Sequence, residues 1–128
     1  MTKIELPIAL LEYKDPIVYV YFNKDVLIDE KQLLELIEVR NKLVNYKKHL
    51  VLTTFSAVVD FTEEARKAAA SAEVTHTSIA HAVVVRSLGQ RLVSGFYKKI
   101  DRPHYPIEIF NNQEDAEKWL LSFLKKKK

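Results

Sequence analysis

The chain contains 128 residues, of which 48% are hydrophobic, with no cysteine and a formal net charge of +3. This length suits one domain with a buried core, so we expect residues 1–128 to fold as a single unit without disulfides. No apolar run approaches ~20 residues and no apolar segment follows a basic start, which favours a cytoplasmic protein over a secreted or transmembrane one.

Basic side chains are concentrated in the last third of the chain and end in four lysines at residues 125–128. A terminal run of this kind is usually solvated. A few lysines supply only weak, salt-sensitive contacts to phosphates, so we expect no nucleic-acid partner.

The first predicted elements are two strands at residues 4–13 and 17–22, both rich in β-branched and aromatic residues. The three residues between them are too few for a parallel crossover, so the strands should form a hairpin. The second strand is apolar at nearly every position, which is typical of a strand covered on both faces. We expect the first strand to lie at the edge of the sheet.

A helix is predicted at residues 30–45, with Asp29 as its N-cap and Gln32 completing a capping box. Leu33, Leu36 and Ile37 begin its apolar stripe, and we expect Arg40 on the wet side or its border.

The remaining elements alternate between strands and helices. Strands are predicted at residues 49–55, 79–86 and 106–110, and helices after Thr62, at 88–99 and after Asn111 or Asn112. Trp119 lies on the apolar stripe of the last helix, and we expect it to be substantially buried. This alternation is the signature of βαβ units, so we predict an α/β fold with a mainly parallel sheet.

This element order resembles the STAS domain, which has the SpoIIAA-like fold. The stretches that carry the resemblance are "IVYVYF", "TEEARKAAA", "AHAVVVRSLGQRLVSGFYK" and "PIEIFNNQEDAEKWL". The chain is most similar to small uncharacterised bacterial STAS-like proteins grouped with CRAL-TRIO lipid-binding domains. The resemblance implies a five-stranded mixed sheet with an N-terminal hairpin and about four helices, and a non-enzymatic interaction or regulatory role.

The first candidate site is a switch or partner surface formed by Asp60, Phe61, Thr62, Glu63 and Glu64. In phosphorylated STAS proteins a serine follows an Asp at this junction, but Phe61 takes the serine position here and only Thr62 offers a hydroxyl. Three carboxylates would repel a phosphate on Thr62. We therefore interpret Thr62 first as an N-cap, and partner recognition or phosphorylation as the alternatives.

The second candidate site combines cations with aromatic side chains between residues 86 and 105. Its residues are Arg86, Arg91, Lys98, Lys99, Arg102, His104 and Tyr105. A solvated basic face is the simpler interpretation. The alternative is a surface groove for an anion or lipid headgroup, which would make the protein a small-ligand or lipid-binding module for an acidic amphiphile.

The sequence offers no pattern for enzyme chemistry. His49, His76, His81 and His104 lack the spacing of structural zinc ligands, and the serines lack a nucleophile-elbow pattern. We therefore expect no catalytic residue, no metal and no cofactor.

The aromatic residues of the N-terminal hairpin predict self-association. A five-stranded sheet whose first strand is an edge has too little covered surface for all of Tyr13, Tyr19, Tyr21 and Phe22. Exposed aromatic side chains beside an unpaired edge favour a homodimer.

Overall fold

The computed structural model describes residues 2–71, 75–85 and 105–125, and the predicted helix at 88–99 lies outside them. Six strands of the described chain form one mixed sheet in the order β1-β2-β3-β5-β7-β8, and β4 pairs with β6 in a separate two-stranded ribbon. The elements are β1 (Thr2–Glu5), β2 (Leu10–Lys14), β3 (Ile17–Phe22), β4 (Val26–Ile28), α1 (Glu30–Leu43), β5 (His49–Phe55), β6 (Val59–Phe61), α2 (Glu63–Ala70), β7 (Ser78–Val85), β8 (Ile107–Phe110) and α3 (Gln113–Lys125).

The predicted first strand at residues 4–13 is two antiparallel strands rather than one. Leu6 donates its backbone N–H to the carbonyl of Ala9 at 2.8 Å, which closes the turn between β1 and β2. This turn contains Pro7, whose ring removes a donor that a continuous strand would need. The sheet therefore has six described strands instead of the five predicted, and β1 rather than β2 lies at its edge.

The strands β3, β5, β7 and β8 are parallel, with α1 between β3 and β5 and α2 between β5 and β7. This arrangement confirms the α/β class and the N-terminal hairpin of β2 and β3. As predicted, β3 is covered on both faces. Val18 and Val20 lie in the core beneath α1 and α2, whereas Ile17 and Tyr19 lie in the core beneath α3.

The core beneath α3 includes Trp119, as predicted, but two other residues of the final helix are buried more deeply. Ala116 and Leu120 are fully buried there, whereas Trp119 is only partly buried and packs against Phe110 and Phe123. The hydroxyl of Tyr19 donates a hydrogen bond to the Glu117 carboxylate, which ties the helix to the sheet.

Local capping signals follow the sequence closely. Asp29 accepts from the backbone N–H of Gln32 at 2.8 Å, and the Gln32 side chain accepts from the backbone N–H of Asp29 at 3.1 Å, which confirms the capping box. Asn112 accepts from the backbone N–H of Asp115 at 2.8 Å and so caps α3. Among the described residues, no helix is both long enough and apolar enough to cross a membrane.

Candidate functional site

The predicted switch surface lies where the ribbon of β4 and β6 meets α2. The two strands are parallel, with Val26 opposite Val59, Leu27 opposite Asp60 and Ile28 opposite Phe61. The inner side chains of the ribbon contact the core, and Ile28 is fully buried. The outer side chains do not, because Leu27 is 61% exposed and Val58, just before β6, is 71% exposed.

Thr62 is the N-cap of α2, as predicted. Its Oγ1 accepts a hydrogen bond from the backbone N–H of Ala65 at 3.1 Å. Its own backbone N–H donates to the carbonyl of Ile28 at 3.0 Å, which fixes the helix to the ribbon. The Thr62 hydroxyl oxygen therefore already has a structural use.

Phe61 does not belong to the outer surface. Its ring makes edge contacts with Phe22 and Phe55, with centroids 6.3 and 6.4 Å apart, and it packs against the core beneath α1 and α2. Arg66 donates from Nη1 to the carbonyl of Phe61 at 3.0 Å. The residue at the serine position of phosphorylated STAS domains is thus a packing residue here.

The three carboxylates of the junction differ in their surroundings. Glu63 pairs with Lys67 at 3.0 Å, and this hydrogen bond lowers the pKa of Glu63 and raises the pKa of Lys67. The Asp60 carboxylate accepts from the backbone N–H of Phe61 at 2.8 Å. Asp60 and Glu64 are exposed, and Asp60 lies opposite Leu27 in the ribbon, so a negative charge lies beside Leu27.

The predicted basic and aromatic site is described only at Tyr105, because Arg86, Arg91, Lys98, Lys99, Arg102 and His104 lie outside the described residues. Tyr105 is 5% exposed, so it is an interior residue rather than part of a surface groove. Its hydroxyl donates to the carbonyl of Ala69 at 2.9 Å, and its ring lies 4.2 Å from that of His81. Ligand binding by the rest of this region stays a prediction.

A buried polar cluster at the start of β5 and β7 escaped the sequence interpretation. Its central residue is Arg40, which was predicted on the wet side of α1 or its border but is only 3% exposed. Nη2 of Arg40 donates to Oγ of Ser78 at 3.0 Å, and that oxygen lies 3.3 Å from Nε2 of His81. Nε of Arg40 is buried without a hydrogen-bond partner in the structure.

The residues next to Arg40 complete this cluster with neutral groups. Thr77 donates from Oγ1 to the Asn41 side-chain oxygen at 2.8 Å, and the backbone N–H of His49 donates to the carbonyl of Thr77 at 3.0 Å. Nδ1 of His49 lies 2.9 Å from the carbonyl of Lys47, whereas Nε2 of His49 is buried without a partner.

Burial governs the protonation of the cluster. It lowers the pKa of His49 to about 4, with a further contribution from the Arg40 charge. Burial also lowers the pKa of Arg40 to about 10, which leaves the guanidinium charged at neutral pH. The cluster therefore holds a buried cation next to a neutral imidazole.

Helical periodicity could have placed Arg40 correctly. Residues 33, 36, 37, 40 and 41 recur at the spacing of one helix face, and all five are buried. The charge of the Arg40 side chain favours a solvent-exposed position, but its place in this helical repeat predicts that it is buried. Among the described residues, no group of three or more His, Cys, Asp or Glu side chains could hold a metal ion.

This architecture defines a protein of the SpoIIAA-like class, and a solved structure agrees. An uncharacterised protein of the DUF3478 family from Shewanella loihica PV-4, with a SpoIIAA-like fold, matches 88% of this chain and 91% of its own, at a TM-score of 0.57 and 9% identity. That likeness concerns the fold, and it confirms the predicted SpoIIAA-like fold.

The chain belongs to the family described as a domain of unknown function, DUF7793, whose model matches residues 11–124. No curated protein matches the chain.

Proposed function

We propose that this protein is a non-enzymatic interaction or regulatory domain of the bacterial cytoplasm. It binds a partner protein through the ribbon surface, which we define as Leu27, Val58, Asp60 and Glu64. The observation that carries the proposal is the exposure of two large apolar side chains, 61% for Leu27 and 71% for Val58, on one short ribbon.

The two apolar side chains lie on the same side of the ribbon. Leu27 is opposite Asp60 in the register, and Val58 precedes Asp60 by two residues, so strand alternation directs all three outward. Single exposed apolar residues are ordinary on protein surfaces, but neighbouring ones on a fixed element favour a contact site. Burial of a leucine or valine in a partner contributes roughly 1.5–3 kcal/mol.

The ribbon is held rigidly enough to present this surface without rearrangement. Asp25 accepts from the backbone N–H of Val58 at 2.9 Å, and Val26 donates to the carbonyl of Val58 at 3.1 Å. Ile28 anchors the inner side in the core. A preformed surface binds at a smaller entropic cost than one that must order on contact.

The charge of the ribbon surface indicates the chemistry of its partner. Asp60 lies opposite Leu27 and Glu64 is exposed in the first turn of α2, so a partner with an apolar centre and a basic rim is complementary. A two-fold dimer formed through this surface would bring the same carboxylates of two copies together. We therefore propose a different protein as its partner, with any homodimer using another surface.

The test compares affinity capture by three forms of the protein from an extract of its source organism. The double variant Leu27→Ser, Val58→Ser changes the ribbon surface, and the control Leu34→Ser, Leu121→Ser changes two residues that are each 39% exposed elsewhere. The proposal expects a protein that the wild type and the control retain and the ribbon variant loses.

That captured protein is then purified and titrated against the wild type and Asp60→Asn, Glu64→Gln at low and high salt. We expect weaker binding at high salt and a smaller salt dependence for the charge variant. Equal retention of every captured protein by the ribbon variant and the control would refute the proposed surface.

A further inference from the structure

Arg40 is a buried cation without a carboxylate partner in the described part of the chain. A guanidinium carries five N–H donors, and the hydrogen bond to Ser78 uses one of them. The ion pairs of the described residues do not include Arg40, and its Nε is buried and unpartnered. A buried charge left without compensation is strongly destabilising, so this arrangement calls for an anion.

The groups around Arg40 are suited to an anion and not to a second cation. Ser78 supplies a hydroxyl 3.0 Å from the guanidinium, and His81 lies 3.3 Å from that hydroxyl. Lys47 and Lys48 precede β5 on the exposed side and add positive charge next to His49. Glu38 is two residues before Arg40 on α1, but its carboxylate accepts a hydrogen bond from the Tyr46 hydroxyl and does not pair with Arg40.

We propose that Arg40, Ser78 and His81 bind a phosphate group, either as the free ion or as the monoester headgroup of an acidic lipid. A guanidinium binds two phosphate oxygens in its fork, which leaves the third for the hydroxyl and the imidazole. The site lies at the N-terminal ends of the parallel strands β5 and β7. The ribbon follows β3 and β5 and therefore lies at the C-terminal ends of the parallel strands. It is therefore independent of the proposed partner surface.

One other source of compensation makes a different prediction. Arg40 lies in the last turn of α1, where the carbonyl ends of the helix carry partial negative charge and stabilise cations. If these carbonyls were sufficient, phosphate would have no specific effect on the protein. The two accounts therefore separate in a binding experiment.

The experiment measures thermal unfolding in inorganic phosphate against chloride at equal ionic strength. We expect wild-type protein to gain about 5–10 °C in Tm at phosphate near 100 times the Kd. Arg40→Met should lose this gain. The matched control is Lys42→Met, which removes an exposed positive charge from the same helix and should keep it.

Ser78→Ala serves if Arg40→Met does not fold, because it removes one hydroxyl and no charge. We expect it to weaken phosphate binding about tenfold in calorimetric titration, since a hydrogen bond to a charged group contributes about that factor. Ser122→Ala, which removes a hydroxyl from α3, should leave the affinity unchanged. Equal Tm gains in wild type and Arg40→Met, or equal phosphate affinities for wild type and Ser78→Ala, would overturn the proposal.

Vesicles distinguish the two sources of phosphate. Phosphatidylcholine vesicles with and without phosphatidic acid are sedimented with wild type, Arg40→Met and Lys42→Met. Binding to phosphatidic acid that Arg40→Met alone loses identifies a lipid headgroup, and a response to inorganic phosphate without vesicle binding identifies the free ion or a soluble monoester. A response to neither contradicts the site.

Discussion

Among the described residues, each face of the sheet buries one charged side chain, and the two charges are compensated in different ways. Glu12 of β2, 6% exposed, lies on the face that α3 packs against, and its carboxylate is 3.6 Å from Nζ of Lys3 and 3.5 Å from Nζ of Lys14. Arg40 lies on the α1 face, 3% exposed, with one hydroxyl as its bonded neighbour. The first charge is balanced within the chain, and the second is not balanced by the residues described.

The difference comes from how the partners reach each charge. Lys3 is directly opposite Glu12 in the β1–β2 register, and Lys14 is two residues along the same strand face. The two lysine side chains remain 61% and 47% exposed, so compensation of Glu12 needs no buried cation. The position of Arg40 is set by α1, and its hydrogen-bond partner Ser78 is 38 residues later in the sequence. We infer that the α1 face is built to receive a charge from outside.

The largest expected effect concerns the α3 face itself. Leu120 is fully buried and Trp119 is only partly buried, so Leu120→Ala should lower the free energy of unfolding by about 2–5 kcal/mol and Trp119→Ala by less. Urea unfolding of both variants measures the difference. A greater loss for Trp119→Ala would mean that the indole, not the leucine, holds α3 to the sheet.

Acid should destabilise the α1 face through His49. Its folded-state pKa of about 4 lies below the ordinary value of 6.5, so the unfolded chain takes up the proton first as the pH falls. The stabilisation is complete above pH 6.5 and is lost progressively down to about pH 4, by about 3 kcal/mol in total.

The measurement is urea unfolding at intervals between pH 7 and pH 4. His49→Gln should reduce the acid-induced loss of stability, whereas the control His76→Gln, at an exposed position, should not. The same pH dependence in wild type and His49→Gln would show that His49 is not the responsible group.

Removing Lys3 and Lys14 should leave Glu12 as a buried charge without a partner of opposite charge, as Arg40 is among the described residues. In Lys3→Met, Lys14→Met the carboxylate keeps its burial but loses both cations. We expect a loss of about 2 kcal/mol at neutral pH, less than for a fully buried pair because the lysine side chains are 61% and 47% exposed. Urea unfolding at neutral pH measures this loss of stability. The control Lys24→Met, Lys31→Met removes two other exposed lysines and should change stability little.

The smallest expected effect is at the start of α2. Thr62→Ala should cost about 1 kcal/mol because it removes the cap on Ala65, while Thr62→Asp should cost little because aspartate caps equally well. Thermal unfolding of the two variants provides the comparison. An equal loss in both would indicate that the methyl group of Thr62, rather than its oxygen, is what matters.

Much of the fold could be predicted because its signals are local. The caps at Asp29, Thr62 and Asn112 each depend on residues three positions apart, and all three lie where the sequence placed them. Pro7 is also a local signal, because a proline favours a break in a strand. The apolar residues on either side of it favour one continuous strand, which is why the break between β1 and β2 was not predicted. The ribbon of β4 and β6 was missed because three-residue strands leave almost no periodicity.

The buried cluster was harder to predict because its members are distant in sequence. Ser78 meets Arg40 only after β5 and α2 have brought β7 beside β5, and a single sequence does not reveal that contact. The periodicity of α1 could have shown that Arg40 is buried, but not which groups surround it.

The most direct test of the difference between the two faces is the Nε–H resonance of Arg40 in ¹⁵N-labelled wild-type protein, assigned by its absence in Arg40→Lys. This N–H is unpartnered in the structure, so a phosphate in the fork of the guanidinium gives it an acceptor. We predict that inorganic phosphate at constant ionic strength shifts this resonance downfield and slows its exchange with water. A resonance that stays unchanged to saturating phosphate would contradict the account and show that Arg40 is compensated within the fold.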